Sequence, residues 1–246
     1  LRVYQFRHDR RFNGHSLSDR ILSINKVKMK IINNIEINKT HSIVDYKQAV
    51  SYMEQRVSEI AIQKKKELIW FLQHDHIYTI GASGQENEIH HKMNIPYIKT
   101  NRGGKVTYHG PGQRIVYFLI DLKKRRKNVR KFVNLIEKSA IDLLNEFDVE
   151  AKTFSNRVGI WVIKNKKIKL NKEEKIGAIG LRVKKWVVYH GLSFNINPDL
   201  NYYKNIDPCG LPEYSITSLE SLGIKISNQD FDDLYLKFFL KHLKKL

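Results

Sequence analysis

The chain predicts an α+β fold, with a mixed, largely antiparallel sheet and flanking helices. Strand-like segments outnumber helical ones and are rich in β-branched and aromatic residues. Many of them are joined by short turns, and a few longer segments carry apolar residues at helical spacing. Strands in excess, with helices that cover a sheet, point to α+β architecture.

In chain order, Met29 opens MKIINNIEI, which reads as a first strand. Ile43 to Lys64 carries Ala49, Met53, Val57 and Ile60 on one side, an amphipathic helix. Leu68 to Leu72 and Ile77 to Ile80 read as strands around the polar QHDH turn. Tyr97 to Asn101 leads into a glycine-rich loop, and the apolar run Ile115 to Ile120 reads as a buried strand. Arg130 to Phe147 places Phe132, Val133, Ile136, Ala140, Leu143 and Leu144 on one helical side. Gly159 to Ile163, Ile176 to Val183 and Trp186 to Ile196 are strand-like, and Phe231 to Leu243 closes the chain as a helix.

Residues 1–28 differ from the rest: they hold Arg2, Arg7, Arg10, Arg11 and Arg20 and few clustered apolar residues. They are expected to be an extension, disordered or not native, ahead of a single domain over residues 29–246. A targeting presequence is the rival reading, and Asp9, Asp19 and the lack of a clear amphipathic helix speak against it. At 246 residues and 41% hydrophobic, the chain has ample material for a core. No apolar run approaches the ~20 residues of a membrane span, and no secretory signal is apparent, so no membrane role and a cytoplasmic location are expected. One cysteine excludes an intramolecular disulfide framework and a multi-cysteine zinc site. The formal charge of +19 rests mainly on lysine, in runs such as Lys123 to Lys127. It reads either as a solvated surface or as attraction to an acidic partner. No aromatic residues interleave with these runs in the stacking pattern of nucleic-acid binders.

Candidate site residues fall in four blocks. The first is RGGKVTYHGPGQ. Gly103 and Gly104 let backbone amides approach a ligand, and His109 stands before the dense turn Gly110-Pro111-Gly112. The second is KIGAIG, where Lys175 heads an apolar strand that can draw it partly out of water; a surface lysine is the other reading. The third is YHGLSFNIN, where Gly191 and Ser193 leave room for a chain and Leu192 offers apolar contact; a packed strand with a bulge at Gly191 is the alternative. The fourth is DPCGLPEYSITSL. Pro208 and Gly210 hold Cys209 on a sharp loop, where it is either an exposed nucleophile or an inert thiol. His109 could act as base, donor or turn residue. His74, His76, His90 and His91 read as loop histidines without metal-site spacing.

The first block resembles the lipoyl(octanoyl) transferase family, which moves an octanoyl chain from acyl carrier protein to a lysine of lipoyl domains. Arg102, Gly103, Gly104, Thr107, Tyr108, His109, Gly112 and Gln113 match the family pattern at its spacing. The resemblance runs from about Met29 to Leu222. It implies the fold of the biotin and lipoate protein ligase catalytic domain, so that residues 29–246 form one catalytic acyltransferase domain. It implies Cys209 as the acyl-accepting thiol and Lys175 as the residue that lowers its pKa. It further implies substrate contacts from Arg102, Gly103, Gly104, Lys105, Val106, Thr107, Tyr108 and His109. The triplets Ala178, Ile179, Gly180 and Gly191, Leu192, Ser193 would contact the acyl group. The implied donor is octanoyl-acyl carrier protein. The implied acceptors are lipoyl domains of 2-oxoacid dehydrogenase complexes and the glycine-cleavage H protein. No metal, nucleotide or other cofactor is implied, because a thioester is already activated. The competing readings are an ATP-dependent lipoate or biotin ligase of the same fold and a basic nucleic-acid-binding protein. The first leaves the Pro-Cys-Gly segment idle, and the second leaves Cys209 and His109 unexplained.

Overall fold

The computed structural model describes residues 30–90, 95–155, 157–166, 168–206 and 215–246. The expected extension and Cys209 lie outside them. Twelve strands are described: β1 Lys30–Ile32, β2 Ile35–Ile43, β3 Glu67–Gln73, β4 Ile77–Ile80, β5 Tyr97–Lys99, β6 Val106–His109, β7 Gln113–Asp121, β8 Val149–Phe154, β9 Arg157–Asn165, β10 Glu174–Lys184, β11 Val187–Asn195 and β12 Ser215–Ile216. The helices are α1 Tyr46–Ala61, α2 Val129–Asn145 and α3 Asn228–Leu243. This is the α+β arrangement expected. None of the described helices is long and apolar enough to cross a membrane.

The described part of MKIINNIEI, from Lys30 on, is a hairpin and not a single strand. Asn33 and Asn34 take φ of 50° and 64°, the left-handed pair of a tight two-residue turn between β1 and β2. β2 then pairs with β3 in parallel, which requires a crossover, and α1 supplies it. α1 begins sharply because the Asp45 side chain accepts from the Gln48 amide at 2.8 Å. That cap makes Tyr46 the first helical residue.

The large sheet runs β1-β2-β3-β7-β11-β10-β9-β8, with β12 beside β10. Every residue of β7 is buried. Its even-numbered residues Val116, Phe118 and Ile120 join the core under α2 and α3. Its odd-numbered Ile115, Tyr117 and Leu119 join a second core under α1. Coverage on both faces is why this segment is continuously apolar.

The strands flanking QHDH do not pair with each other. β3 stays in the large sheet, whereas β4 leaves it for a small sheet of order β5-β4-β6. β6 lies inside the stretch expected to be a glycine-rich loop, so Val106 to His109 are held in a ladder with β4. One face of the small sheet buries Tyr78, Ile80, Val106 and Tyr108 with Tyr203 and Ile206. The other face, with Thr79, Thr107 and His109, turns toward the large sheet.

Candidate active site

A cavity of about 250 Å³ lies between the two sheets. The large sheet contributes Ile115 and Tyr117 from β7, Ala178 and Gly180 from β10, and Gly191 and Ser193 from β11. These face one way because β10 and β11 pair Ala178 with Ser193 and Gly180 with Gly191. The small sheet and the loop before it add Arg102, Gly104, Lys105, Val106, Thr107 and His109. The loop sits directly on β10: the Gly103 amide donates to the Leu181 carbonyl at 3.0 Å. A side chain on Gly180 would begin 2.7 Å from the Gly103 carbonyl oxygen, so glycine is required for that approach. Gly104 takes φ of 87°. Among the described residues, a Cβ there would meet only Arg102 Nη1, at 3.5 Å.

Lys175 stands at one end of the cavity, 3% exposed. Its ammonium donates to the Val158 carbonyl at 2.9 Å and lies 5.4 Å from the centre of the Trp161 ring. A bulge places it there. Lys175 pairs with Trp161 but Gly177 pairs with Ile160, so β10 carries one extra residue. Ile176 enters the core, and both Lys175 and Ala178 face the cavity. The chain returns after the Pro-Cys-Gly segment at Ser215 and Ile216, which pair with Glu174 and Lys175. Arg157 borders the same end and is bonded to Glu173 at 2.9 Å. The lining holds Arg102, Lys105, Arg157 and Lys175, and no Asp or Glu among the described residues. Such a surface favours a thiolate or an oxyanion.

The opposite end is aromatic. His74 Nδ1 donates to the Val44 carbonyl at 2.7 Å, which leaves Nε2 to accept from the Tyr117 hydroxyl at 2.7 Å. Gln113 turns its amide nitrogen to the Tyr108 carbonyl and to Asn195, so its oxygen accepts from His109 Nδ1 at 2.7 Å. The Thr79 hydroxyl accepts from Arg102 and faces His109 Nε2 at 3.3 Å. Asn101 donates to Glu54 at 3.0 Å and accepts from His190 Nε2 at 3.1 Å. All three imidazoles are thus neutral, each in one tautomer. Burial is the chief cause in each case: it holds His74 at about 4, His190 at about 3 and His109 well below its ordinary value.

His190 has φ of 61°, a left-handed conformation inside a strand. Its neighbours Val188 and Leu192 face the α2–α3 core, yet its ring lies against Tyr117 and Tyr189 on the α1 side. The ring is 1% exposed, and its Nδ1 has no hydrogen-bond partner among the described residues.

Most of the residues expected at a site converge on this cavity, with several differences. Ile179 and Leu192 border it, but their side chains belong to the α2–α3 core, so they meet it through the main chain. Leu192 therefore does not offer the side-chain contact expected of it. Tyr108 points to the outer face of the small sheet, where its hydroxyl meets His76 Nδ1 at 2.7 Å. Gly103 ties the loop to β10 and is not in the lining. His74 lies in the loop between β3 and β4, as expected, and is a buried member of the aromatic end. Tyr46, Ile115, Tyr117, Arg157 and Val158 also line the cavity and carry no motif that marks them, and His190 lines it from within the third block, where no feature of the sequence singles it out. The described residues contain no cluster of three or more His, Cys, Asp or Glu that could hold a metal.

The family model described as the lipoyl protein ligase A/B catalytic domain matches residues 45–240. An octanoyltransferase of Wolbachia pipientis is 42% identical over 203 residues, 82% of this chain and 96% of its own length. One from Zymomonas mobilis is 42% identical over 215 residues, 87% of this chain and 97% of its own. Among solved structures, a bipartite lipoate protein ligase studied with its E2 lipoyl domain from Thermoplasma acidophilum superposes with a TM-score of 0.58. That match covers 87% of this chain and 85% of the other at 12% identity, which is likeness of fold.

Proposed function

Because the chain belongs to the lipoyl protein ligase A/B catalytic domain family, we propose that it transfers an octanoyl group from octanoyl-acyl carrier protein to a lysine of lipoyl domains. Its relatives named octanoyltransferase make it an acyltransferase. The observation that carries the finer reading is the cavity itself. Three separated blocks, around Arg102, Ala178 and Gly191, meet on one cavity with a buried lysine at one end. Cys209 stands six residues before Ser215, the first residue of the strand beside Lys175.

In the proposed reaction the Cys209 thiolate attacks the thioester carbonyl carbon of the donor. The Lys175 ammonium favours that thiolate over the thiol. The carbon–sulfur bond to the carrier breaks, and the leaving thiolate takes the proton of Lys175. The ε-amine of the acceptor lysine then attacks the Cys209 thioester. Cys209 leaves as thiolate, the amine's proton passes to the now neutral Lys175, and an amide remains. Gly104 and its neighbours leave main-chain groups accessible to the carbonyl. The proposed acceptors are lipoyl domains of 2-oxoacid dehydrogenase complexes and the glycine-cleavage H protein. The excess of positive charge suits an acidic carrier.

Intact-mass measurement after mixing with octanoyl-acyl carrier protein tests this. The expected result is one octanoyl group on Cys209, released by hydroxylamine and absent in Cys209→Ala. Full transfer by Cys209→Ala would refute the intermediate. Transfer from free octanoate only in the presence of ATP would assign ligase chemistry instead.

A further inference from the structure

Tyr46 separates the cavity from a second hollow. At the aromatic end its ring stacks on His109, with centroids 5.8 Å apart and planes 16° apart, and meets His74 edge-on at 5.0 Å. Its hydroxyl points the other way and lies 3.4 Å from Thr100 Oγ1. Thr100 lines an open hollow of about 560 Å³ between α1 and β5, with Val50 and Ile98 as apolar lining. Tyr46 is the one described residue that borders both spaces. It is 3% exposed and fixed at the start of a capped helix, so the partition is held in place.

The partition stands across the sheet from Lys175. Gly177 pairs with Phe194, and the next residue, Asn195, pairs with Gln113, which is bonded to the His109 under the Tyr46 ring. From β10 over β11 to β7 is two strand spacings, roughly 10 Å, about the length of an extended eight-carbon chain. An acyl chain whose carbonyl lies near Lys175 therefore runs over Ala178 and Ser193 toward Tyr46.

We propose that the Tyr46 ring is the end stop that limits acyl chain length. The proposal rests on the acyl-transfer reading above. Removing the ring joins the cavity to the outer hollow, and methylenes that now clash with the ring would instead be buried beside Val50 and Ile98.

The test is competition among equimolar octanoyl-, dodecanoyl- and hexadecanoyl-acyl carrier protein, read by intact mass of the acylated full-length chain. Wild type and Tyr46→Phe, which keeps the ring, should load octanoyl almost alone. Tyr46→Ala should raise the ratio of dodecanoyl to octanoyl by about tenfold or more. Tyr46→Leu keeps apolar bulk to hold the helix start and should shift the ratio in the same direction, so a poorly folded alanine variant leaves the question decidable. Folded variants with the wild-type ratio would overturn the end stop alone. A wild type that loads dodecanoyl as readily as octanoyl would also overturn it. A wild type that loads no acyl group from any donor would overturn the transfer reading, and the end stop with it.

Discussion

Lys175 passes over the bare backbone of Gly159 to reach the Val158 carbonyl at 2.9 Å. A Cβ on residue 159 would stand 2.5 Å from Lys175 Cε, and Gly159 has φ of 133°. The path of the lysine thus depends on a missing side chain. Gly159→Ala is expected to cost about 1–3 kcal/mol in backbone strain and to displace the ammonium. Thiol alkylation of Cys209 against pH reads the second effect, because only the thiolate reacts. Both Gly159→Ala and Lys175→Met should move the midpoint upward. An unchanged midpoint in Lys175→Met would show that Lys175 does not act on the thiol.

Gly104 separates conformational need from spatial need. Gly104→Ala introduces strain of about 1 kcal/mol through its positive φ, whereas its Cβ meets little protein. Gly104→Val carries more strain, because a β-branched residue fits positive φ worse than alanine does, and it also fills space that a thioester needs. Its melting temperature should fall somewhat below that of Gly104→Ala, while acylation measured on the folded fraction falls much further in the valine variant. Equal acylation rates would remove this loop from the acyl site.

The buried imidazoles predict acid lability. His74 is held at about 4 in the folded chain, against about 6.5 when exposed. Between these values the unfolded chain binds the extra proton, so stability declines as pH falls through that window. At its acid end His74 alone contributes a loss on the order of 3 kcal/mol. Urea midpoints at pH 7 and pH 4.5 should differ clearly in wild type and less in His74→Gln. Parallel shifts in both would place the lability elsewhere.

Arg114 and Asp232 form a fully buried, two-pronged pair at 2.8 and 2.7 Å, tying β7 to α3. Asp232→Ala should destabilise by about 3–5 kcal/mol, since it leaves a guanidinium in the core without its carboxylate. Chemical denaturation measures this. A loss below about 1 kcal/mol would mean that water reaches Arg114.

Ile115 to Ile120 can be read from sequence as a strand because both faces of β7 are covered and every position must be apolar. α1 can be read because only one face is covered, which leaves Ala49, Met53, Val57 and Ile60 at helical spacing. The turn at Asn33-Asn34 hides inside an apolar stretch, since two asparagines there look like surface residues. β6 hides because its neighbouring glycines read as loop. At the site, the motif residues mark themselves by unusual type and spacing. Tyr46 and Tyr117 do not, because a cavity-lining aromatic looks like any core aromatic until sheet register brings distant segments together. His190 is harder still: its ring reaches the cavity side only through a left-handed backbone angle that its sequence context does not announce.

The extra residue in β10 makes strand length part of the chemistry. Lys175 and the lining residues Ala178 and Gly180 share a face only because Ile176 shifts the alternation between them. Deleting that one residue would leave the composition of the strand almost untouched. It would nevertheless exchange inside for outside on one side of the deletion: the long ladder from Gly177 to Lys184 with β11 keeps its register, so Lys175 would turn away from the face that carries Ala178 and Gly180. A loop can absorb the gain or loss of a residue, but at this point of the sheet a single codon lost in frame would dismantle the site while sparing every residue named in it.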